Sequence, residues 1–180
     1  YEPGSTFKSV VLASALEEGT IRTKDTFYCS GSVKMGKWTI KCSNRAGHGQ
    51  QTLAEAVGHS CNPAFIKIGQ SLGTEKFYSY LNAFGFTDST GIDLPGEGNS
   101  VIWDEGNFNT VNLATASFGQ RFTVTPVQLI TAVNAVVNGG YLYTPHVVQS
   151  ITNKEGNTVY EADNTPVRQV VSEKRSEERR

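Results

Sequence analysis

Charged residues and long apolar runs are both scarce in this chain of 180 residues. Charged residues make up 18% and hydrophobic residues 38%, a composition that excludes a disordered chain and a coiled coil. The 16 basic and 17 acidic residues leave a net charge of -1, so there is no general electrostatic case for nucleic acid or an anionic membrane as partner. The most apolar stretch, residues 127–137, is too short to span a bilayer. We expect a soluble globular piece of a longer protein, because Tyr1 stands where an initiator Met would.

Cysteine is also scarce, with three residues and no C-x-x-C pair, so the sequence predicts neither a disulfide scaffold nor a zinc site. Two of them still form a candidate disulfide. Residues 26–33 and 37–42 flank Met35-Gly36, which is typical of a two-residue hairpin loop. If Lys34 faces Lys37, Cys29 and Cys42 lie opposite each other and within bridging distance. Two free thiols on the same hairpin are the alternative, and an oxidising compartment would favour the bridge.

Helix signals dominate the rest of the chain, and together with the hairpins they predict an α+β fold. Ser5 is a good N-cap for a helix that ends before Gly19. Helices are also predicted from Thr52 and over residues 63–72 and 74–83. Thr125 and Gln128 form a capping box around a proline, which predicts a helix that ends near Asn138. A C-terminal hairpin is predicted over residues 146–162.

Several catalytic patterns are absent. There is no G-x-S-x-G elbow. A Ser-His-Asp triad needs one histidine, and the candidates are His48, His59 and His146. His48 stands between two glycines and is interpreted as a turn residue. Residues 96–101 fail the G-x-G-x-x-G pattern at its last position, which argues against a nucleotide site.

One pattern that is present is Ser5-x-x-Lys8. Residues three apart on a helix lie one turn apart on the same face, so the hydroxyl and the amine are neighbours. A helix N-terminus favours an alkoxide, and a desolvated lysine beside it accepts the serine proton. The pattern alone is weak, because a chain of this composition contains about 0.75 matches by chance. A capped helix with a surface lysine is the alternative interpretation.

A second pattern is Ser60-Cys61-Asn62, just before the helix predicted from Pro63. In a loop, its hydroxyl and amide would face one cleft, where a serine relays a proton to a leaving amine and an asparagine holds a substrate amide. This triplet is also expected about once by chance.

Several longer motifs occur in a fixed order along the chain, and this order indicates a specific protein family. Glu-Pro-Gly-Ser-Thr-Phe-Lys at residues 2–8 and the Ser60–Asn62 triplet are followed by Thr-Gly-Ile-Asp-Leu-Pro-Gly-Glu at residues 90–97. Phe-Gly-Gln at residues 118–120 and Val-Thr-Pro-Val-Gln-Leu at residues 124–129 come next. Over nearly its whole length the chain resembles the transpeptidase domain of class B penicillin-binding proteins, the cell-wall cross-linking enzymes of bacteria.

The resemblance implies roles for four residues: Ser5 as the acylated nucleophile, Lys8 as its base, Ser60 as the proton relay and Asn62 as a substrate-binding side chain. It implies D,D-transpeptidation of peptidoglycan stem peptides ending in D-Ala-D-Ala, and acylation by β-lactams, with no metal or cofactor. The parent protein is expected at the extracytoplasmic face of the bacterial membrane, anchored by an N-terminal segment outside this chain and associated with division or elongation proteins.

The chain departs from the family in one motif. None of its nine lysines is followed by Thr-Gly or Ser-Gly, the motif that lends the family an oxyanion-hole N–H and binds the substrate carboxylate. Residues 1–180 therefore resemble a partial domain, mainly its helical portion with short β-hairpins, without most of the central sheet. We expect such a chain to acylate weakly or not at all, with a Lys8 amine wetter than in a whole domain. A truncated, non-catalytic module that binds β-lactam or peptidoglycan is the main alternative, and a serine β-lactamase is a less favoured one.

Overall fold

The computed structural model describes residues 1–177, and the last three residues of the predicted domain, 178–180, lie outside the described part. The helices of this part are α1 (Lys8–Glu17), α2 (Leu53–Gly58), α3 (Asn62–Ala83), α4 (Thr110–Ala116), α5 (Pro126–Val137) and α6 (Glu173–Glu177). The strands are β1 (Thr26–Cys29), β2 (Ser32–Met35), β3 (Trp38–Lys41), β4 (Gly49–Thr52), β5 (Tyr141–Leu142), β6 (Ser150–Thr152), β7 (Thr158–Glu161) and β8 (Arg168–Gln169). The α+β fold with short strands is thereby confirmed.

Helix α1 lies at the centre of the helical body, packed against α3 and α5. Its residues Val10, Val11, Ala15 and Leu16 are all buried, as the helical spacing predicts. Phe7 precedes them and meets the rings of Phe86 and Phe122 edge-on, with centroids 5.2 and 5.0 Å apart. A helix enclosed on several sides holds its N-terminal turn in a fixed position.

The start of this helix differs from the predicted N-cap. Ser5 lies inside a 3-10 turn, Gly4–Phe7, which continues into α1, and the capping position belongs to Pro3 without a side-chain hydrogen bond. Ser5 therefore does not cap the helix, and its hydroxyl is free for other contacts. Gly4 makes the entry possible because its φ is +58°, a conformation that glycine adopts without steric cost.

The strands of the described residues pair into four separate antiparallel sheets of two strands: β1 with β4, β2 with β3, β5 with β8, and β6 with β7. The predicted C-terminal hairpin is present as β6 and β7. The predicted register of the first hairpin is wrong, because Met35 pairs with Trp38 and the loop is Gly36-Lys37.

The predicted strand over residues 26–33 is broken in two at Gly31. Its φ is +89°, and a Cβ at this position would lie 2.2 Å from the backbone oxygen of Arg45. This turn separates β1 from β2, so Cys29 pairs with Gly49 of β4 rather than with Cys42. The hairpin argument for a Cys29–Cys42 pair therefore fails.

Other helix boundaries follow the sequence signals. Thr125 and Gln128 form the predicted capping box at α5, and Thr52 and Glu55 form a second one at α2. Helix α3 spans both of the predicted helices over residues 62–83, and the chain breaks its helical geometry between them at Gly73, where φ is 79° and ψ is 166°.

The motif at residues 90–97 is a structural brace. Glu97 accepts hydrogen bonds from the Thr90 amide and hydroxyl and from the Gly91 amide. Asp93 accepts from the amides of Val147 and Val148, each at 2.8 Å, and these bonds lower the pKa of its carboxyl. The loop-rich segment is thus tied to the chain that follows α5. Among residues 1–177, no helix has the length and apolar character needed to cross a membrane.

Candidate active site

Four polar side chains from two stretches of the chain, residues 5–8 and 60–62, meet at the N-terminal end of α1. Ser5 lies on the 3-10 turn, and Lys8 is the first residue of α1. Ser60 lies in the turn after α2, and Asn62 is the first residue of α3. The structure therefore brings together all four residues that the sequence singled out, with Ser5 exposed and Lys8 buried.

The Lys8 amine is at the centre of this group. Its Nζ lies 2.7 Å from the backbone oxygen of Ser60, 2.8 Å from Asn62 Oδ1, 2.8 Å from Ser60 Oγ and 3.3 Å from Ser5 Oγ. The Ser60 hydroxyl donates to Ser5 Oγ over 2.9 Å. The two serine hydroxyls and the amine form one hydrogen-bonded triangle.

The two carbonyl oxygens orient the amine. The Ser60 carbonyl and Asn62 Oδ1 only accept hydrogen bonds, so each takes one N–H of Lys8. A neutral amine has two N–H groups and one lone pair, and the lone pair is then left facing the hydroxyls of Ser5 and Ser60. The arrangement suits an amine that removes a proton from a serine hydroxyl.

Burial also favours the neutral amine. Lys8 is 4% exposed, and its Nζ lies 5.2 Å from the centre of the Phe65 ring. Desolvation lowers the pKa of Lys8 from 10.5 to about 8, although the neighbouring Cys61 and Cys42 sulfurs oppose the shift. About a tenth of the amine is then neutral at pH 7. The residues of this chain alone bury the Lys8 side chain, although we expected its amine to be wetter than in a whole domain.

Ser60 has a strained backbone. Its φ is +49°, a region that non-glycine residues avoid and that is found at functional sites where the surroundings enforce it. The turn is held by hydrogen bonds from Ser60 N to the Val57 oxygen and from Cys61 N to the Ala56 oxygen. This conformation places the backbone oxygen and the hydroxyl of one residue on the same lysine nitrogen.

The turn that carries Ser5 is anchored by the segment after α4. The Gly4 amide donates to the Gly119 oxygen over 2.8 Å, and Glu2 accepts from the Arg121 amide at 2.8 Å. Gly119 has a φ of +76°, and a Cβ there would lie 2.0 Å from the Gly4 oxygen. The Phe-Gly-Gln motif therefore supports the turn that carries Ser5 by close backbone contact.

We expect Gly119→Ala to destabilise the protein by about 3–5 kcal/mol, because the new methyl group combines a positive φ with a backbone clash. In a chain of this size the melting temperature should fall by roughly 10 °C. Gly156→Ala is the matched control, since Gly156 has a φ of +85° but nothing within 4 Å of its Cβ position. Equal losses in the two variants, measured by thermal unfolding, would show that contact with Gly4 is unimportant.

The three cysteines are free and buried, so the structure contains no Cys29–Cys42 disulfide. Their sulfurs nevertheless lie close together behind the Ser60–Asn62 turn, with a ring nitrogen of His48. This cluster was missed from the sequence, because its members are 13, 6 and 13 residues apart and no C-x-x-C pair marks them. The interpretation of His48 as a turn residue is wrong, because His48 lies between the turn at Arg45-Ala46 and β4, and its ring faces the Cys42 sulfur.

A serine hydroxyl within one helical turn of a buried lysine, with a second serine touching both, is the arrangement that lysine-assisted serine acyl transfer requires. The model of the penicillin binding protein transpeptidase domain matches residues 1–179. The chain belongs to this family.

Three relatives illustrate the similarity. Stage V sporulation protein D of Bacillus subtilis (strain 168) is 44% identical over 183 residues, which cover 99% of this chain and 28% of that protein. The peptidoglycan D,D-transpeptidase MrdA of Salmonella typhimurium (strain LT2) is 27% identical over 92% of this chain and 28% of that protein. The crystal structure of penicillin-binding protein 3 from Mycobacterium tuberculosis complexed with ampicillin superposes with a TM-score of 0.89 at 26% identity, covering 98% of this chain and 39% of that one. The chain thus spans well under half the length of each relative.

Proposed function

We propose that this chain carries the nucleophile, base and proton relay of a peptidoglycan D,D-transpeptidase site. The observation that supports the proposal most directly is the set of contacts at Lys8 Nζ: two carbonyl acceptors on one side, and the hydroxyls of Ser5 and Ser60 on the other. The names of the relatives agree, because one of them is a peptidoglycan D,D-transpeptidase.

In the first half-reaction, Ser5 Oγ attacks the carbonyl carbon of the D-Ala-D-Ala bond while its proton passes to the Lys8 amine. The carbon–nitrogen bond then breaks, and the leaving D-Ala amine receives a proton through the Ser60 hydroxyl, which lies 2.8 Å from Lys8 Nζ and 2.9 Å from Ser5 Oγ. The product is an acyl ester on Ser5.

In the second half-reaction, an amine of another stem peptide attacks the carbonyl carbon of this ester and loses a proton to Lys8. The bond between that carbon and Ser5 Oγ then breaks, and Lys8 returns the proton to Ser5 Oγ, which restores the hydroxyl. No cofactor takes part in either step. A β-lactam would acylate Ser5 in the same way, with its ring amide in place of the peptide bond.

Asn62 has a further role in this proposal. Its Oδ1 accepts from Lys8 and its Nδ2 donates to the Lys41 oxygen at 3.4 Å. Asn62 therefore connects the base to the end of β3, and a substrate amide would compete for these same groups. We place the protein that contains this site outside the cytoplasmic membrane, where stem peptides are cross-linked, and leave its anchor and its associated machinery as proposals from the family resemblance.

The test is labelling of the chain with a fluorescent penicillin, followed by intact-mass spectrometry. We expect slow labelling that reaches at most one acyl group per chain, on Ser5, and none in Ser5→Ala. Ser9→Ala is the matched control, because Ser9 is on the same helix but hydrogen-bonds to the Thr6 oxygen instead of to Lys8. Labelling that survives in Ser5→Ala would refute Ser5 as the nucleophile. Labelling followed by rapid hydrolysis of the penicillin would identify a β-lactamase instead.

A further inference from the structure

A cluster of four metal-binding side chains lies behind the Ser60–Asn62 turn. The sulfurs of Cys29, Cys42 and Cys61 and a ring nitrogen of His48 all lie within 4.8 Å of one another. Cys29 ends β1, Cys42 follows β3, His48 precedes β4, and Cys61 is the residue before α3. Four separate segments therefore direct one soft donor each towards a common point.

The spacing of the donors matches tetrahedral coordination. Zinc binds thiolate sulfur at about 2.3 Å and histidine nitrogen at about 2.0–2.1 Å, so neighbouring donors in a tetrahedron are about 3.5–3.8 Å apart. Cys42 Sγ and His48 Nδ1 are 3.7 Å apart. The remaining separations, at most 4.8 Å, need only a small contraction.

We propose that Cys29, Cys42, His48 and Cys61 form a structural zinc site. Three thiolates and one imidazole make a closed donor set typical of structural zinc. All three cysteines are free and almost fully buried, so no disulfide occupies their sulfurs, and each thiol would lose its proton as it binds the metal. His48 is half-buried, and we expect an ion to enter the cluster from the side of this residue.

The groups around the cluster fit this role. Outer hydrogen bonds orient metal ligands and are part of most metal sites. The Gly31 amide donates to Cys29 Sγ at 3.4 Å, and Gln51 Nε2 donates to Cys61 Sγ at 3.1 Å. Gln51 is only 2% exposed, so its amide N–H is committed to sulfur, and a thiolate accepts such a bond better than a thiol does.

The ring of His48 is also held in place. It stacks on His59 with centroids 4.5 Å apart and planes 4° from parallel. His59 Nδ1 in turn lies 3.1 Å from Gln51 Oε1, so one buried amide braces both the Cys61 sulfur and the ring that covers His48. These contacts fix the ligands before any metal arrives.

Because of the position of Cys61, a bound metal would also affect the candidate active site. Cys61 stands between Ser60 and Asn62, both of which contact Lys8 Nζ. A metal bonded to its sulfur would join the strained turn at Ser60 to β1 and to the chain after β3. This consequence rests on the function proposed above, whereas the metal binding itself does not.

The test starts with the unmodified chain, purified with a phosphine reductant and loaded with Zn²⁺ or Co²⁺. We expect one metal per chain by elemental mass spectrometry, and a Co²⁺ spectrum with a thiolate charge-transfer band and the intense visible bands of tetrahedral coordination. X-ray absorption of the zinc form should show about three sulfurs and one nitrogen at the distances above. Binding should release protons from the thiols as the metal enters.

Variants assign the ligands. Cys29→Ser, Cys61→Ser and His48→Gln should each lower zinc affinity by about 100-fold or more, whereas His146→Gln, in a histidine outside the cluster, should leave it unchanged. Gln51→Leu should lower the affinity by about 10-fold, as expected for an outer-shell partner. Zinc at 1,000 times its Kd should raise the melting temperature of the unmodified chain by roughly 10 °C.

The measurements on the unmodified chain decide the proposal even if a variant fails to fold. A reduced chain that takes up no stoichiometric metal, or a Co²⁺ spectrum without thiolate bands, would overturn the zinc site. Stoichiometric zinc with the same rate of Ser5 labelling before and after chelation would support the site and refute its effect on the Ser60 turn. Zinc binding in a chain that no penicillin labels would leave the metal site standing and count against the proposed function alone.

Discussion

Replacing Lys8 by Met should slow penicillin acylation of Ser5 by about 10³-fold, within the range that general bases contribute. Met keeps most of the aliphatic volume beside Phe65 but has neither the lone pair nor the N–H groups. Lys67→Met is the matched control, because Lys67 is an exposed lysine on α3 whose amine lies 3.5 Å from the Tyr28 oxygen. Thermal unfolding of both variants separates loss of the base from loss of the fold.

The pH dependence of acylation should identify the same amine. The base is the neutral form, and desolvation lowers the pKa of Lys8 to about 8. Below that value the neutral fraction rises tenfold per pH unit, so the second-order acylation constant should rise with pH and level off above about 8. The groups that contact the amine are the Ser60 backbone oxygen, the Asn62 amide oxygen and the hydroxyls of Ser5 and Ser60. The nearby sulfurs of Cys42 and Cys61 act in the opposite direction to desolvation and raise the pKa of Lys8.

Lys8→Arg provides the sharpest comparison for this profile. A guanidinium keeps the positive charge but is protonated at every pH of interest. The Lys8→Arg variant should therefore acylate slowly, and its rate should not rise with pH. A rate that is independent of pH from 6 to 9 in the unmodified chain, or an arginine variant as fast as the parent, would contradict a lysine base.

Local signals in the sequence were sufficient for α1, α2, α3 and α5, whereas α4 was not predicted. The capping box at Thr125 and Gln128 depends on residues three apart, and both of its hydrogen bonds are present. The break at Gly73 is likewise a local property of glycine. The proximity of Ser5 and Lys8 follows from helix geometry, because the 3-10 turn and α1 form one continuous helical segment.

Features that depend on distant segments could not be obtained in this way. The chain breaks between β1 and β2 at Gly31, where a Cβ would lie 2.2 Å from the Arg45 backbone oxygen, and nothing within residues 26–42 indicates that approach. The contacts of Ser60 and Asn62 with Lys8 were expected only from the order of motifs in the family. The cysteine and histidine cluster has no local signal, since its four members come from four segments that meet only in the folded chain.

The burial of Lys8 changes the reason for expecting weak activity from residues 1–180. The amine was expected to be wetter without the central sheet, yet Lys8 is 4% exposed because Phe65 and the Ser60 turn cover it. The proposed nucleophile and base are therefore already in contact within the described residues. What these 180 residues do not contain is a Lys-Thr-Gly or Lys-Ser-Gly motif.

We therefore expect the chain to acylate at least about 10³-fold more slowly than the same chain extended through a strand that carries Lys-Thr-Gly. Loss of one oxyanion donor alone reduces a rate by about 10²–10³-fold, and loss of the group that orients the substrate carboxylate adds a positioning penalty. The pH profile should be the same in the two proteins, because both use a Lys8 that is already buried. The measurement is the second-order rate of Ser5 labelling by a fluorescent penicillin.

Two controls make this comparison decisive. Ser5→Ala should abolish labelling in both proteins, and an extended chain with Ala in place of the lysine of the third motif should lose most of the gain. A difference in the midpoint of the pH profile between the two proteins would mean that the added strand raises the rate by excluding water from Lys8. Equal rates in the short and extended chains would mean that Ser5, Lys8 and Ser60 are sufficient for acylation, and that the oxyanion is stabilised by groups within residues 1–180.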